Sequence, residues 1–213
     1  MSDPLGLLLA TMEPPPAIEE EFQDWYDTEH FPERRDCQGF LTAGRYICLD
    51  GWPKYLALYD LADTQVLRGE AYAAIAVRKY SAWTHRIMAK VWGQYRADAA
   101  QVYPGGAKMG DQGPAARVAL WRFRDAPDAA EAAIVAGLTE MYGDKPETAQ
   151  YRLFRAAQPD GTTDFIALVE LRTPRISETG SVSAFGDAAR YVDLVNVYVP
   201  YTRRAAGAFP AQR

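Results

Sequence analysis

Two short stretches far apart in the chain match each other, and that match constrains the fold more than any other feature. Lys54-Tyr55-Leu56-Ala57-Leu58-Tyr59-Asp60-Leu61 lines up with Asp164-Phe165-Ile166-Ala167-Leu168-Val169-Glu170-Leu171. Each copy has a small alanine at the same position and an acid near its end. Both read as strands, since aromatic and large aliphatic residues fill a run too short for a helix. The elements around the two copies also follow one order. Around the first, a buried strand over 5–12 is stopped by Glu13-Pro14-Pro15-Pro16, and a helix spans about 17–30. Gly39 opens a strand over 40–49, and Asp50-Gly51-Trp52-Pro53 turns it into the strand over 55–61. An alanine-rich helical region over 62–90, interrupted near Gly69, leads to a strand over 91–102. Around the second copy come a strand over 118–123 and a helix over 128–142 with Asp128 as its cap. A hairpin over 150–156 and 165–171 turns across Gln158-Pro159-Asp160-Gly161, and a helix over 183–191 and a strand over 194–201 follow.

Strand, helix, strand, strand, helix, strand is the split βαβ order of a ferredoxin-like unit. The expected fold class is therefore α+β, with two tandem ferredoxin-like repeats. The first occupies 1–103, a linker rich in glycine and proline occupies 104–114, and a second, degenerate repeat occupies 115–213. One such unit alone leaves a sheet face apolar and bare. Two sheets packed face to face bury it and form an α+β barrel. One chain supplies both sheets, so stability does not require a homodimer, although it does not exclude one.

Composition narrows the function classes. A formal net charge of −5 gives no basic face for nucleic acid or an anionic membrane. Cys37 and Cys48 form neither a disulfide framework nor a zinc pattern, and the early apolar run, Leu5 to Ala10, is too short for a signal core. The expected setting is cytoplasmic. With 13 Tyr, 8 Phe and 5 Trp, the chain has aromatic side chains enough for both a core and a lined pocket. No phosphate loop, serine elbow or metal-spaced histidine pair is present in the sequence. The expectation is no cofactor and no metal.

The stretch Trp25-Tyr26-Asp27-Thr28-Glu29-His30-Phe31-Pro32-Glu33 gathers most of the chemistry. Ile18, Phe22, Trp25 and Glu29 share one helical face, and Pro32 is expected to close the helix near His30. His30 would then sit at the negative helix end with Asp27 one turn back, both favouring the imidazolium and a raised pKa. His30 can serve as general acid or base, or it can simply terminate the helix. His85 is the only other histidine and, with Tyr80, could line the same space. Tyr46, Tyr55, Tyr59 and Tyr95 lie on expected strands and offer hydroxyls to a pocket or packing to a core. The second repeat has no histidine. Any site belongs to the first.

This stretch, with Gly39-Phe40, Arg45-Tyr46, the strand from Lys54 to Tyr59 and, more weakly, Tyr72 and Trp83-Thr84-His85-Arg86, resembles the dimeric α+β barrel proteins related to EthD. The resemblance covers about residues 5–100. It implies a barrel that handles a small hydrophobic molecule, in a superfamily that includes cofactor-free monooxygenases, cyclases, isomerases and haem-handling enzymes. From this the preferred expectation is a cofactor-free catabolic enzyme acting by proton transfer, an isomerase, hydratase, dehydratase or cyclase, on an apolar or aromatic carbonyl compound. His30 would move the proton, Asp27 or Glu29 would orient it, and Tyr59 would polarise the substrate oxygen. Trp25, Tyr46, Tyr55, Tyr80, His85 and Tyr95 would line the pocket. A second reading is a non-catalytic barrel that binds a hydrophobic ligand or acts as a scaffold. A third, ranked below both, is a cofactor-free or haem-dependent oxygenase.

Overall fold

The structure, a computed structural model, describes residues 4–76, 79–158, 161–174 and 181–201. Eight strands are joined entirely by antiparallel pairs into a closed barrel, in the order β1-β3-β2-β8-β5-β7-β6-β4. In chain order they are β1 (Gly6–Glu13), β2 (Gly44–Asp50), β3 (Tyr55–Leu61), β4 (Trp92–Tyr103), β5 (Arg117–Phe123), β6 (Thr148–Ala157), β7 (Thr163–Leu171) and β8 (Val192–Pro200). The first four strands stand in the order β4-β1-β3-β2 and the last four in the order β8-β5-β7-β6. The two sets meet along β2–β8, where Ile47 faces Val199, and along β4–β6, where Ala100 faces Arg155.

The α+β barrel is as expected, and the two four-stranded sets are in addition joined edge to edge, which closes it. Both outer strands of each set find an edge partner, so no sheet edge is left unpaired in the barrel. β3 is buried at all seven positions and β7 at all nine, because side chains alternate between two apolar environments. Leu56 and Leu58 from β3 and Ile166 and Leu168 from β7 point into the barrel, where they pack with Leu7, Leu9, Phe154 and Tyr198. Tyr55, Ala57 and Tyr59 face outward under the first helices, and Phe165, Ala167 and Val169 face outward under the later ones.

The helices are shorter than expected between β3 and β4. A 3-10 turn over Thr64–Arg68, α3 (Glu70–Ala73) and α4 (Ala82–Met88) replace one broken helix. Asp63 caps the 3-10 turn and Ser81 caps α4, each by accepting backbone N–H groups. α5 (Glu131–Tyr142) covers the second outer face, with a 3-10 segment over Val182–Tyr191 beside it. Asp128 makes no helix cap; its carboxylate pairs with Arg155 instead. β2 begins at Gly44, and Phe40 makes only an isolated bridge to Leu61. The centre of the expected turn at Gln158–Gly161, residues 159 and 160, lies outside the described residues. The segment between β4 and β5 closes one end of the barrel: Met109 N–H donates to Asp60, and the Tyr46 hydroxyl lies against the Met109 sulfur.

Candidate functional site

The helix after β1 does not end at His30. α1 (Glu19–Trp25) passes through a π-turn over Tyr26–His30 into α2 (Phe31–Arg35), with Phe31 N–H donating to Tyr26 O. In a regular α-helix the Pro32 ring would clash with the carbonyl four residues back and remove a hydrogen bond. The wider turn accommodates the ring, and Phe31 stays helical at φ −74° and ψ −45°. Tyr26 and His30 are both buried as a result, 3% and 4% exposed.

His30 stacks on Trp25 at 4.2 Å between ring centroids and meets Tyr26 edge-on at 5.2 Å. Trp25 is itself held by a bond from its Nε1 to Thr84 Oγ1 at 2.9 Å. Glu29 accepts from Thr84 and Ser81, at 2.9 and 2.6 Å, so it clamps the π-turn to the start of α4. Asp27 turns to β2 and pairs with Arg45, which also donates to Gln23. The Arg45 guanidinium lies between the Tyr26 and Tyr201 rings, at 4.2 and 4.8 Å. Neither carboxylate pairs with the imidazole.

The expected rise in the His30 pKa is thus reversed. Burial pushes it well below the usual histidine range, and the Arg34 and Arg45 charges push the same way. The ring is neutral at neutral pH. Its Nδ1 is sealed in protein without a hydrogen-bond partner, leaving Nε2 as the nitrogen open to the adjacent cavity. That cavity, about 360 Å³, lies between the outer face of β1, β3 and β4 and the π-turn and α4. Leu8, Met12 and Met88 give it an apolar floor, and Tyr26, Tyr59 and Arg34 add polar atoms beside His30. The Tyr26 and Tyr59 hydroxyls lie close enough to influence each other, yet Tyr59 makes no hydrogen bond of regular geometry. Burial holds both phenols protonated, above the usual tyrosine range.

Of the other residues named from sequence, Tyr80, His85 and Tyr95 also line this cavity. The Tyr80 ring is 5.9 Å from that of His85 and 6.3 Å from that of His30, and His85 is exposed at the rim. Tyr95 spends its hydroxyl on Asp164 at 2.7 Å. Trp25 supports His30 from behind, Tyr46 points into the barrel, and Tyr55 donates to Glu19, so these three do not line it. Met12, Met88 and Arg34 were not singled out from the sequence. Arg34 stands four residues after His30, a spacing that places it one helical turn on. A larger groove of about 1120 Å³ is lined by Asp98, Asp125, Asp128 and Arg155, is open to solvent, and holds no imidazole. The corresponding space under α5 is filled: Phe185 packs edge-on against Trp121 at 5.1 Å and Phe123 at 4.8 Å, and Trp121 Nε1 donates to the Tyr142 hydroxyl.

Barrel and cavity define an antiparallel α+β barrel with an imidazole-bearing pocket outside the barrel wall. Neither a scan against protein-family models nor a search of curated proteins returns a match. Solved structures do match. An anthrone oxidase-like protein aligns with a TM-score of 0.66 at 11% identity, over 96% of this chain and 94% of its own. A haem-binding protein from Thermus thermophilus aligns at 0.55 and 11% identity, over 94% and 92%. A chlorite dismutase variant from Candidatus Nitrospira defluvii aligns at 0.53 and 12%, over 94% and 93%. The chain has the fold of the dimeric α+β barrel proteins. These likenesses overturn the expected isomerase, hydratase or cyclase working by proton transfer, because the matched proteins are oxidase-like, haem-binding or chlorite-dismutating.

A haem requires an axial donor and an apolar slot for the macrocycle. His30 has the neutral ring, but iron cannot reach the sealed Nδ1, and ligation through Nε2 would leave Nδ1 without the acceptor that normally orients such a ligand. The cavity of about 360 Å³ also stands at the small end of the roughly 300–1,000 Å³ of ligand pockets. Neither His30 nor a cavity of this size fits a haem.

Proposed function

We propose that this protein oxidises an electron-rich, apolar aromatic molecule with dioxygen in the cavity beside His30. The observation that carries the reading is a buried, neutral imidazole whose open nitrogen meets a cavity with an apolar floor. The oxidase-like likeness supports the class of reaction. A neutral histidine with a depressed pKa is a poor base but a good hydrogen-bond donor to a substrate oxygen, since it does so without adding a charge. An orphaned acceptor is tolerated better in a protein interior than an orphaned N–H, so the tautomer with hydrogen on Nε2 is favoured. That N–H holds the substrate carbonyl or hydroxyl and stabilises negative charge on it, and the electron-rich form reacts with dioxygen. For an anthrone-type methylene the balance closes without an external reductant: the carbon loses two hydrogens and gains one oxygen as a carbonyl, and the other oxygen atom leaves as water.

Oxygen-electrode assays with anthrone and with hydroxylated naphthalenes test this reading. Uptake above the buffer rate is expected, with the label of isotopic dioxygen in the product. His30→Ala should lower the rate about 10²–10³-fold, the usual effect of removing one donor to a developing oxyanion. Uptake no faster than in buffer across the panel would overturn the reading.

The same proposal takes residues 1–103 and 115–213 as two ferredoxin-like repeats joined by 104–114. The equal strand order in the two sets supports it, as does the match of Ala57 with Ala167 and of Asp60 with Glu170. A relation to the EthD proteins in particular is supported by the stretch from Trp25 to Glu33. The ligand is then a small hydrophobic molecule seated by the first repeat, while the second repeat completes the barrel.

A further inference from the structure

The His30 cavity contains a cation whose donors are only partly used. Two arginines line it. Arg96 is exposed and holds Asp98 through Nε and Nη2, at 3.0 and 3.1 Å. Arg34 is different: its side chain is 4% exposed. Its Nη1 donates to His30 O at 3.0 Å and reaches Glu33 at 3.5 Å, and the Glu33 side chain is 39% exposed. A guanidinium presents five N–H donors in a rigid planar fork. Among the described residues, the Nε and Nη2 donors of Arg34 have no acceptor, and neither nitrogen is sealed in protein. Burying a charge whose hydrogen bonds are incomplete is costly, and most buried arginines in proteins are fully paired. In this chain Arg152, also buried, has both terminal nitrogens paired, Nη1 with Asp60 and Nη2 with Glu170. Arg34 instead lines the cavity with Nε and Nη2 unpaired, and its charge is felt by the His30 ring that lines the same space.

We propose that Arg34 recognises an anion, and that the cavity's ligand is an apolar, aromatic-sized molecule carrying one oxyanion that fills the open side of the fork. The ligand class is an aromatic carboxylate, phenolate or enolate. The inference rests on reading this cavity as the substrate site, and it goes further by stating the charge of what binds there. A planar fork beside a neutral donor suits two-point recognition of a single oxygen-bearing group. Met12, Met88 and Leu8 suit the ring system attached to it.

The test is a fluorescence titration of the whole chain with 2-naphthoate and with its neutral isostere 2-naphthamide. A third probe, 2-naphthol, is titrated on either side of its own ionisation. The native protein should prefer naphthoate to naphthamide, or ionised to neutral naphthol, by at least about tenfold, the size of one charge-assisted hydrogen bond. The first outcome assigns a carboxylate, the second a phenolate or enolate, and either supports the proposal. Arg34→Gln should bring the ratio close to one, and Arg34→Lys, which keeps the charge but loses the fork, should leave an intermediate ratio. Thermal unfolding of each variant is followed beside the titrations; should Arg34→Gln fail to fold, the native ratio and Arg34→Lys still decide. Equal binding of anion and isostere by the native protein would overturn the proposal. So would a preference that survives in a folded Arg34→Gln, or no binding of any probe. Oxygen uptake is measured separately, so a chain that selects the anion but consumes no dioxygen removes the oxidative reading and leaves this one standing.

Discussion

His30 sits between Trp25 and Tyr26 with Arg34 and Arg45 near it, and this surrounding decides its charge. Desolvation disfavours the imidazolium, and two guanidinium charges oppose it further. The folded-state pKa therefore lies below the unfolded value of about 6.5. Above that pH both states are neutral at this residue and it contributes no pH dependence. As pH falls below about 6.5 the unfolded chain takes up a proton that the native chain does not, so stability drops until the folded pKa is passed. The slope from this residue alone reaches at most about 1.4 kcal/mol per pH unit. Denaturant unfolding at a series of pH values, native protein against His30→Gln, should show this slope in the difference between the two. A difference independent of pH below 6.5 would mean that the ring is charged when buried. The motif around His30 was legible in the sequence, but the sign of the shift was not. It depended on Asp27 turning to Arg45 and Glu29 turning to Ser81 and Thr84, partners 18, 52 and 55 residues away.

At the scale of elements, the π-turn and the contact between α5 and the 3-10 segment decide where space is left. The π-turn carries Tyr26 and His30 inward beside an unfilled volume. Under α5 the equivalent volume is closed by Phe185, and Gly137 lets the two segments approach. A Cβ at Gly137 would lie 2.5 Å from Phe185 Cδ1 and 2.8 Å from Ala184 O, inside contact distance of both. Gly137→Ala should therefore destabilise the chain by about 1–3 kcal/mol, as overpacking does, although alanine is the better helix former. Thermal and denaturant unfolding read this directly, and a stabilised variant would show that the 3-10 segment can retreat freely. Helix starts followed simple rules in places: Ser81 and Asp63 cap as their residue types suggest. Pro32 did not stop its helix, because a wider turn removes the clash on which the stop rule rests.

For the whole molecule, the two sets of strands are tied together by a buried ionic group at one end of the barrel. Arg152 on β6 bonds Asp60 on β3 at 2.6 Å and Glu170 on β7 at 3.1 Å, with all three side chains at most 2% exposed. Met109 and Gly110 N–H groups complete the carboxylates from the segment between β4 and β5. Removing the cation leaves two buried carboxylates facing each other. Arg152→Ala should cost about 3–5 kcal/mol or more in denaturant unfolding at neutral pH. Burial already holds the Glu170 pKa above the usual carboxylate range. Part of the loss should therefore be recovered on mild acidification, as a carboxylate without its cation takes up a proton. A loss that does not shrink at lower pH would point to packing rather than charge.

The sequence by itself determined the α+β class, the element order, both hairpins and the half of the chain that holds an imidazole. These depend on local signals: alternation of apolar residues, breakers, caps, and the match of residues 54–61 with 164–171. Only the tertiary structure decided that β2 meets β8 and β4 meets β6, since which edge meets which is set by strands far apart in the chain. Only it decided that Arg34 stands buried beside His30 with donors to spare, and that the His30 ring is neutral. Charge and pairing in an interior depend on which distant groups arrive there, and burial can reverse what neighbours in sequence would favour.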